Sequence, residues 1–290
     1  MARYCGISTL IGVDKHFQQC DYDSSCRQSI DEGFASRNIM VKHWGLIPRR
    51  FWASSWKRRN DWKGHRISFT FMLAMLIGAA SIYYFTNQLA AYRGWSAFDP
   101  KIFLDDSIPF VYWMMIPYCT LYLYYPAAAW FGIKGDKMMR ENLIFHQMLI
   151  TSCWFVFAVF LILPVEIDLR GDMEIPKSLF WQVQFDFMHT VDEPWNAWPS
   201  LHIVQSLLIV LVIRRWFPSQ TIIHSVLHAL LWFAWISLVL STMMVKQHFV
   251  WDVVTGIIYA LVCWKYWFKP TLDIAGSDEG EKIFSNVFDS

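Results

Sequence analysis

The chain has 290 residues, 55% hydrophobic and only 17% charged, with 23 Phe, 17 Trp and 12 Tyr. That profile is too apolar for an ordinary soluble domain, and its long uncharged runs mark an integral membrane protein. The net charge is +1, and the basic residues sit beside apolar runs. A separate basic domain for nucleic acid is therefore excluded.

Residues 1–66 are polar and mixed, and Arg3, Gly6 and Gly12 interrupt their one mildly apolar stretch, so no secretory signal is expected there. Of the six cysteines, Cys5, Cys20 and Cys26 lie in this region, near His16. Their spacing fits no zinc pattern, and unpaired cytosolic thiols are expected. From Arg49 the sequence turns basic and aromatic, through Arg50, Phe51, Trp52, Trp56, Lys57, Arg58, Arg59, Trp62, Lys63 and Arg66. Such interleaving before a span is the pattern of an interfacial anchor on an anionic leaflet, or simply of the span's positive flank.

Six apolar segments follow, near 68–87, 109–132, 143–164, 200–217, 221–242 and 250–268. Most approach the ~20 residues that cross a ~30 Å hydrocarbon core as a helix. Lipid offers no partner to an unpaired backbone amide, so each must be helical. The expected fold is an all-α membrane protein with six transmembrane helices over 67–269. A short interfacial segment, Leu179–His189, lies in the loop before the fourth span, where period 2 and period 3.6 fit equally. The residues after Pro270 are acidic and contain Gly and Ser, and a mobile tail is expected over 270–290.

Lys and Arg fix the expected orientation. With the N-terminus cytoplasmic, the inner segments hold 20 of the 25 basic residues, and the outer loops keep Arg93, Lys101, Arg170, Lys177 and Lys246. Both termini are then cytoplasmic. Cys119, Cys153 and Cys263 fall inside spans as small apolar residues. His224 and His228, spaced like a helical metal pair, begin the fifth span on the cytoplasmic side and read as packing residues, as does His146.

The same orientation brings two polar clusters to the outer face. One is Asn196-Ala197-Trp198-Pro199-Ser200-Leu201-His202, the other runs from Ser241 to Asp252 and includes Lys246 and His248. Pro199-Ser200 precedes a span, placing Ser200 at its N-cap, where free N–H groups and the helix dipole attract a phosphate. His202 in the first turn can reach the same anion. His248 and Asp252 are four apart and share one face of a helix, so the carboxylate can orient the imidazole as a nucleophile or base. Two histidines and a carboxylate make a phosphoryl-transfer constellation without a metal.

Pro199-Ser200-Leu201-His202 resembles the P-S-x-H motif of the type 2 phosphatidic acid phosphatase (PAP2) superfamily. Ser241, His248 and Asp252 have the spacing of its S-R-x5-H-x3-D motif. Asp105-Asp106-Ser107-Ile108-Pro109-Phe110, and Thr242 to Asp252 as a whole, resemble its inositol phosphorylceramide synthase-like branch. The resemblance covers roughly residues 100–268. It implies a six-span catalytic domain in which His248 attacks phosphorus and becomes a phosphohistidine, with Asp252 orienting it. His202 would protonate the leaving alcohol and then activate water or a second alcohol, and Ser200 would hold phosphate oxygens. Thr242 stands where the superfamily has Arg, and its K-x6-R-P motif is absent. A phosphate dianion wants at least two cations, so Arg170 and Lys246 are nominated, with Asn196 and Ser241 as further phosphate-site candidates. His189, Asp192 and Glu193 would line the approach.

The expected activity is hydrolysis of a lipid phosphate or phospholipid at the outer face, with no cofactor and with the bilayer and its lipid as partners. The alternative is transfer of the phosphoryl group to a lipid alcohol. A proton-coupled transporter or an inactive scaffold are the rivals from other classes.

Overall fold

A computed structural model describes residues 45–288, and every element among them is helical. The N-terminal cysteines and His16 lie outside the described residues. After a short helix α1 (Ala53–Lys57), helix α2 runs Asp61–Arg93. It includes a π-turn over Leu76–Ala80, where Gly78 frees a carbonyl that accepts 2.6 Å from Trp154 Nε1. Then come α3 (Phe103–Ser107), α4 (Met115–Cys119), α5 (Leu121–Phe131) and α6 (Gly135–Ile162). Helix α7 (Leu179–Val191) precedes α8 (Leu201–Trp216), α9 (Ile222–Met244) and α10 (Val250–Cys263). A π-turn over Trp264–Phe268 leads into α11 (Lys269–Ala275), and α12 (Asp278–Phe288) follows.

Three of these helices, α2, α6 and α9, are long and apolar enough to cross a membrane. The other expected spans are shorter or broken. The second divides at Thr120, between α4 and α5, with Pro117 and Pro126 in the segment; a proline cannot donate to the helical ladder. The fourth is the 16-residue α8, and the sixth is α10 continued by its π-turn. Helices α2 and α6 begin and α2 ends well beyond the apolar runs expected at 68–87 and 143–164, because polar flanks continue the same backbone ladder.

Helix α8 is the axis of the fold. Ile203, Val204, Leu207, Leu208, Val210 and Val212 are all buried, so apolar side chains face protein on every side. It packs against α5, α6, α9 and α10. Helix α9 presents Ile222, Ile223, Leu227, Leu230 and Phe233 outward, a surface that only an apolar solvent would cover at no cost.

The expected interfacial segment is the helix α7, which settles its period as 3.6. Phe185 and Met188 are buried while Leu179, Phe180 and Phe187 are exposed.

The tail expected to be mobile is instead two helices. Phe284 and Phe288, one turn apart, bury against Trp56 of α1 at 4.7 and 5.8 Å between ring centroids. This i, i+4 aromatic pair supplies the apolar stripe that acidic composition concealed. Trp52 and Trp56 of the basic-aromatic segment are likewise packing residues, whereas Phe51 and Trp62 are exposed.

At this far end of the bundle, Arg215 of α8 holds the buried Glu141 of α6 at 2.8 Å, and Trp216 Nε1 donates to the same carboxylate at 3.1 Å.

Candidate active site

The N-terminus of α10 is built by two carboxylates. Asp252 Oδ2 accepts from Phe249 N at 2.9 Å, and Asp105 Oδ1 accepts from Val250 N at 2.8 Å. Both satisfy amides that the helix leaves free. Asp105 also accepts from Ile102 N at 2.8 Å, so one buried side chain caps α3 and α10 together.

His248 sits one residue before this cap. Its amide and that of Gln247 donate to Thr242 O at 3.1 and 2.9 Å, closing a turn in which Lys246 takes a left-handed φ of 58°. The imidazole is 3% exposed, and its Nδ1 lies 3.5 Å from Asp252 Oδ2. Burial, opposed by Asp192 and the Ala197 backbone and assisted by Arg170, lowers its pKa to about 4. The ring is therefore neutral near pH 7, the form that can attack.

Helix α8 delivers the partner. Ser200 occupies the N-cap with extended backbone, and its amide donates to Asp252 O at 3.1 Å. Its hydroxyl makes no capping bond and, fully buried, has no hydrogen-bond partner. The close crossing depends on Gly256 of α10, where an added Cβ would stand 2.9 Å from Ser200 O and 3.3 Å from Ile203 Cβ. In the first turn of α8, His202 Nδ1 lies 3.0 Å from His248 Nε2, and His202 Nε2 lies 2.9 Å from the hydroxyl of Tyr118. Tyr118, His202 and His248 are thus joined by hydrogen bonds, with Asp252 3.5 Å behind His248.

Arg170 closes the site from the loop before α7. Its guanidinium donates to Gln247 Oε1 at 2.5 Å and to Asp192 O at 2.8 Å, and its Nε has no partner. Burial lowers its pKa, with Asp192 and Tyr118 opposing. His189 of α7, lowered to about 4 by burial and by Arg170, stands at the same edge. Asp192 Oδ1 bonds the Tyr83 hydroxyl of α2. Asn87, also of α2, exchanges bonds with the Glu193 amide and the Glu193 and Trp195 carbonyls at 2.9–3.1 Å. Helix α2 therefore holds the loop that leads into the Pro199-Ser200 turn.

The other nominated residues are placed differently. Asn196, at φ 61°, is buried with its Nδ2 3.2 Å from Thr86 Oγ1, and it shapes the loop against α2. Lys246 Nζ donates to the carbonyls of Ile108 and Asp105 at 2.6 and 3.3 Å, fastening the His248 turn to the α3 loop. Ser241 Oγ turns back to Leu238 O at 2.6 Å and Thr242 Oγ1 to Val239 O at 2.8 Å, so neither hydroxyl faces the histidines. Tyr118, Tyr83, Gln247 and Gly256 were not signalled by the sequence motifs. The intervals between Tyr118, Tyr122 and Tyr125, four and three residues, are the signal that was present.

An apolar cavity of about 600 Å³ opens beside His202. Leu73, Leu76 and Ala80 of α2 form one wall, and Tyr118, Tyr122 and Tyr125 the other. The size is that of a small-molecule site. Among the described residues, no three His, Cys, Asp or Glu side chains come together as metal ligands.

The family model described as PAP2 superfamily matches residues 171–272. That stretch contains Ser200, His202, His248 and Asp252, begins one residue after Arg170, and leaves out α2 and Tyr118. No curated protein and no solved structure matches the chain. The match is consistent with a phosphatase or phosphotransferase acting on lipids.

Proposed function

We propose that the protein hydrolyses the phosphoester of a membrane lipid phosphate or phospholipid at the outer face of its bilayer, through a phosphohistidine on His248. The observation that carries this reading is the 3.0 Å approach of His202 Nδ1 to His248 Nε2, with Asp252 behind and the apolar cavity ending at His202. His248 Nε2 attacks phosphorus as the P–O bond to the lipid alcohol breaks. His202 gives that oxygen a proton and later takes one from the attacking water. Arg170 and the unpartnered Ser200 hydroxyl hold non-bridging oxygens; such positioned charge and donors supply most of phosphoryl-transfer catalysis. The cavity takes a hydrocarbon chain, putting the phosphate next to His202.

The test is turnover by the purified protein in detergent with phosphatidic acid and other phospholipids, following phosphate or headgroup release. Turnover should persist in EDTA, be blocked by vanadate, and disappear in His248→Ala. Undiminished turnover in His248→Ala would refute the mechanism. Adding diacylglycerol or ceramide to the same assay tells transfer from hydrolysis, the expected product being free phosphate.

A further inference from the structure

We propose that Tyr118 is a positioning residue that confines the shuttled proton of His202 to Nδ1. This rests on the acid and base roles given to His202 above. His248 Nδ1 lies 3.5 Å from Asp252 Oδ2 without a hydrogen bond in this geometry; with its proton on that nitrogen, as the proposed attack requires, Nε2 is bare. Bare Nε2 stands 3.0 Å from His202 Nδ1, which must then be protonated. His202 Nε2 is left as an acceptor, and the Tyr118 hydroxyl, 2.9 Å away, donates to it.

A tyrosine is suited to this place because its hydroxyl both donates and accepts. A carboxylate would favour only the charged ring, and an ammonium only the neutral one. When a phosphate ester bound as its monoanion gives up its proton to His202, the ring becomes the imidazolium, and the Tyr118 hydroxyl turns and accepts from Nε2–H. Nδ1 then gives its proton to the leaving oxygen as the N–P bond to His248 forms and the P–O bond breaks. The ring is left neutral with its proton on Nε2, and Nδ1 is bare toward the incoming water. Water attacks phosphorus, its proton goes to Nδ1, the N–P bond breaks, and the ring is ready to begin again.

Packing holds the hydroxyl in register. The Tyr118 ring is buried among Met115, Phe185, Met188 and Val245. The other titratable or charged groups around His202 and Tyr118 are His248, Asp192, Arg170, Tyr83, Tyr122 and Cys119. Tyr83 bonds Asp192, and Arg170 bonds Gln247 and the Asp192 backbone, which leaves Tyr118 as the side-chain partner given to His202 Nε2.

Tyr118→Phe in the full chain keeps the ring and removes one oxygen. With a long-chain alkyl phosphate, kcat should fall about 10–100-fold, the worth of a hydrogen bond to a charged group, while KM changes little. The basic limb of the kcat–pH curve should move to lower pH, because the imidazolium has lost its acceptor. With p-nitrophenyl phosphate, whose leaving group needs no proton, the loss should be several-fold smaller. Equal losses with both esters, or an unmoved basic limb, would overturn the proposal.

A second readout does not require turnover. Nitrogen-15 NMR of the resting protein should place the proton of neutral His202 on Nδ1, and Tyr118→Phe should shift the Nε2 resonance toward that of an acceptor nitrogen without a donor. An Nε2 resonance left unmoved by Tyr118→Phe overturns the role of Tyr118. If the NMR difference holds while the wild-type protein releases no phosphate from any lipid, the proposed reaction fails and the tautomer assignment stands.

Discussion

Gly256→Ala adds one methyl group at the crossing of α8 and α10. The new carbon would meet Ser200 O at 2.9 Å, and ordinary contact begins at 3.4 Å, so the two backbones must part by about 0.5 Å. The atom met is main chain, which cannot swing aside like a side-chain tip. Overpacking of this kind costs ~1–3 kcal/mol, partly offset because Ala favours the helix over Gly by ~1 kcal/mol. A modest fall in Tm is expected. The larger effect should be on rate. The displaced carbonyl belongs to the N-cap of α8, two residues from His202, whose ring is aligned on His248. A 1 Å misplacement can cost ~100-fold, so half that distance should lower kcat about tenfold. The assay is phosphate release at saturating lipid substrate, alongside thermal unfolding of the same preparation. A variant with full kcat and unchanged Tm would show that the crossing is slack and that the helix contact does not position His202.

Other outcomes follow from the same geometry. Asp252→Asn keeps an acceptor for the Phe249 amide but no longer favours the proton on His248 Nδ1, so kcat should fall by ~10²–10⁴ with the fold retained, as checked by kinetics and circular dichroism. His248, neutral in the folded protein down to about 4, titrates near 6.5 when unfolded. The unfolded chain alone then binds a proton between those values, so stability falls as pH drops from about 6.5 to about 4, by roughly 3 kcal/mol; Tm measured across that window should fall more steeply in wild type than in His248→Asn. Arg215→Ala removes the cation from the buried Glu141; because Arg215 is partly exposed, the loss should lie near the lower end of ~3–5 kcal/mol, read as a fall in Tm with kcat per folded molecule unchanged. Phe284→Ala should cost ~3 kcal/mol by opening a cavity against Trp56, and it would identify the C-terminal helix as part of the folded unit in limited proteolysis.

Much of the frame was readable because lipid leaves a backbone few choices. Apolar runs near 20 residues became helices, whole or broken, and the two histidines, 46 residues apart in sequence, lie 3.0 Å from each other. What could not be read was governed by distant contacts. Tyr118 lies 84 residues from His202, in a segment where one tyrosine looks like its neighbours. Lys246 carries the charge expected near the phosphate, yet its ammonium is drawn to carbonyls of the α3 loop that sequence proximity does not suggest. Ser241 and Thr242 turn back on their own helix, a choice every hydroxyl in a helix has. The C-terminal tail misled for another reason: its average composition is acidic, and only the Phe284–Phe288 interval discloses the buried stripe.

The burial of α8 on all sides has a consequence for how the chain is made. Sixteen residues at ~1.5 Å each give a rod of about 24 Å, shorter than the ~30 Å hydrocarbon layer, with Arg214 and Arg215 at its end. Such a helix, carrying Gln205, Ser206 and His202 as well, has little reason to leave the translocation machinery for lipid unaided. Its successor α9, free of Lys, Arg, Asp and Glu, predominantly apolar and 23 residues long, has every reason to. The two are joined by a short turn, so insertion as a hairpin lets the outer helix carry the inner one into a bundle already laid down by α2 and α6. The histidine pair is complete only when α10 packs against α8, since the turn that carries His248 leads directly into α10.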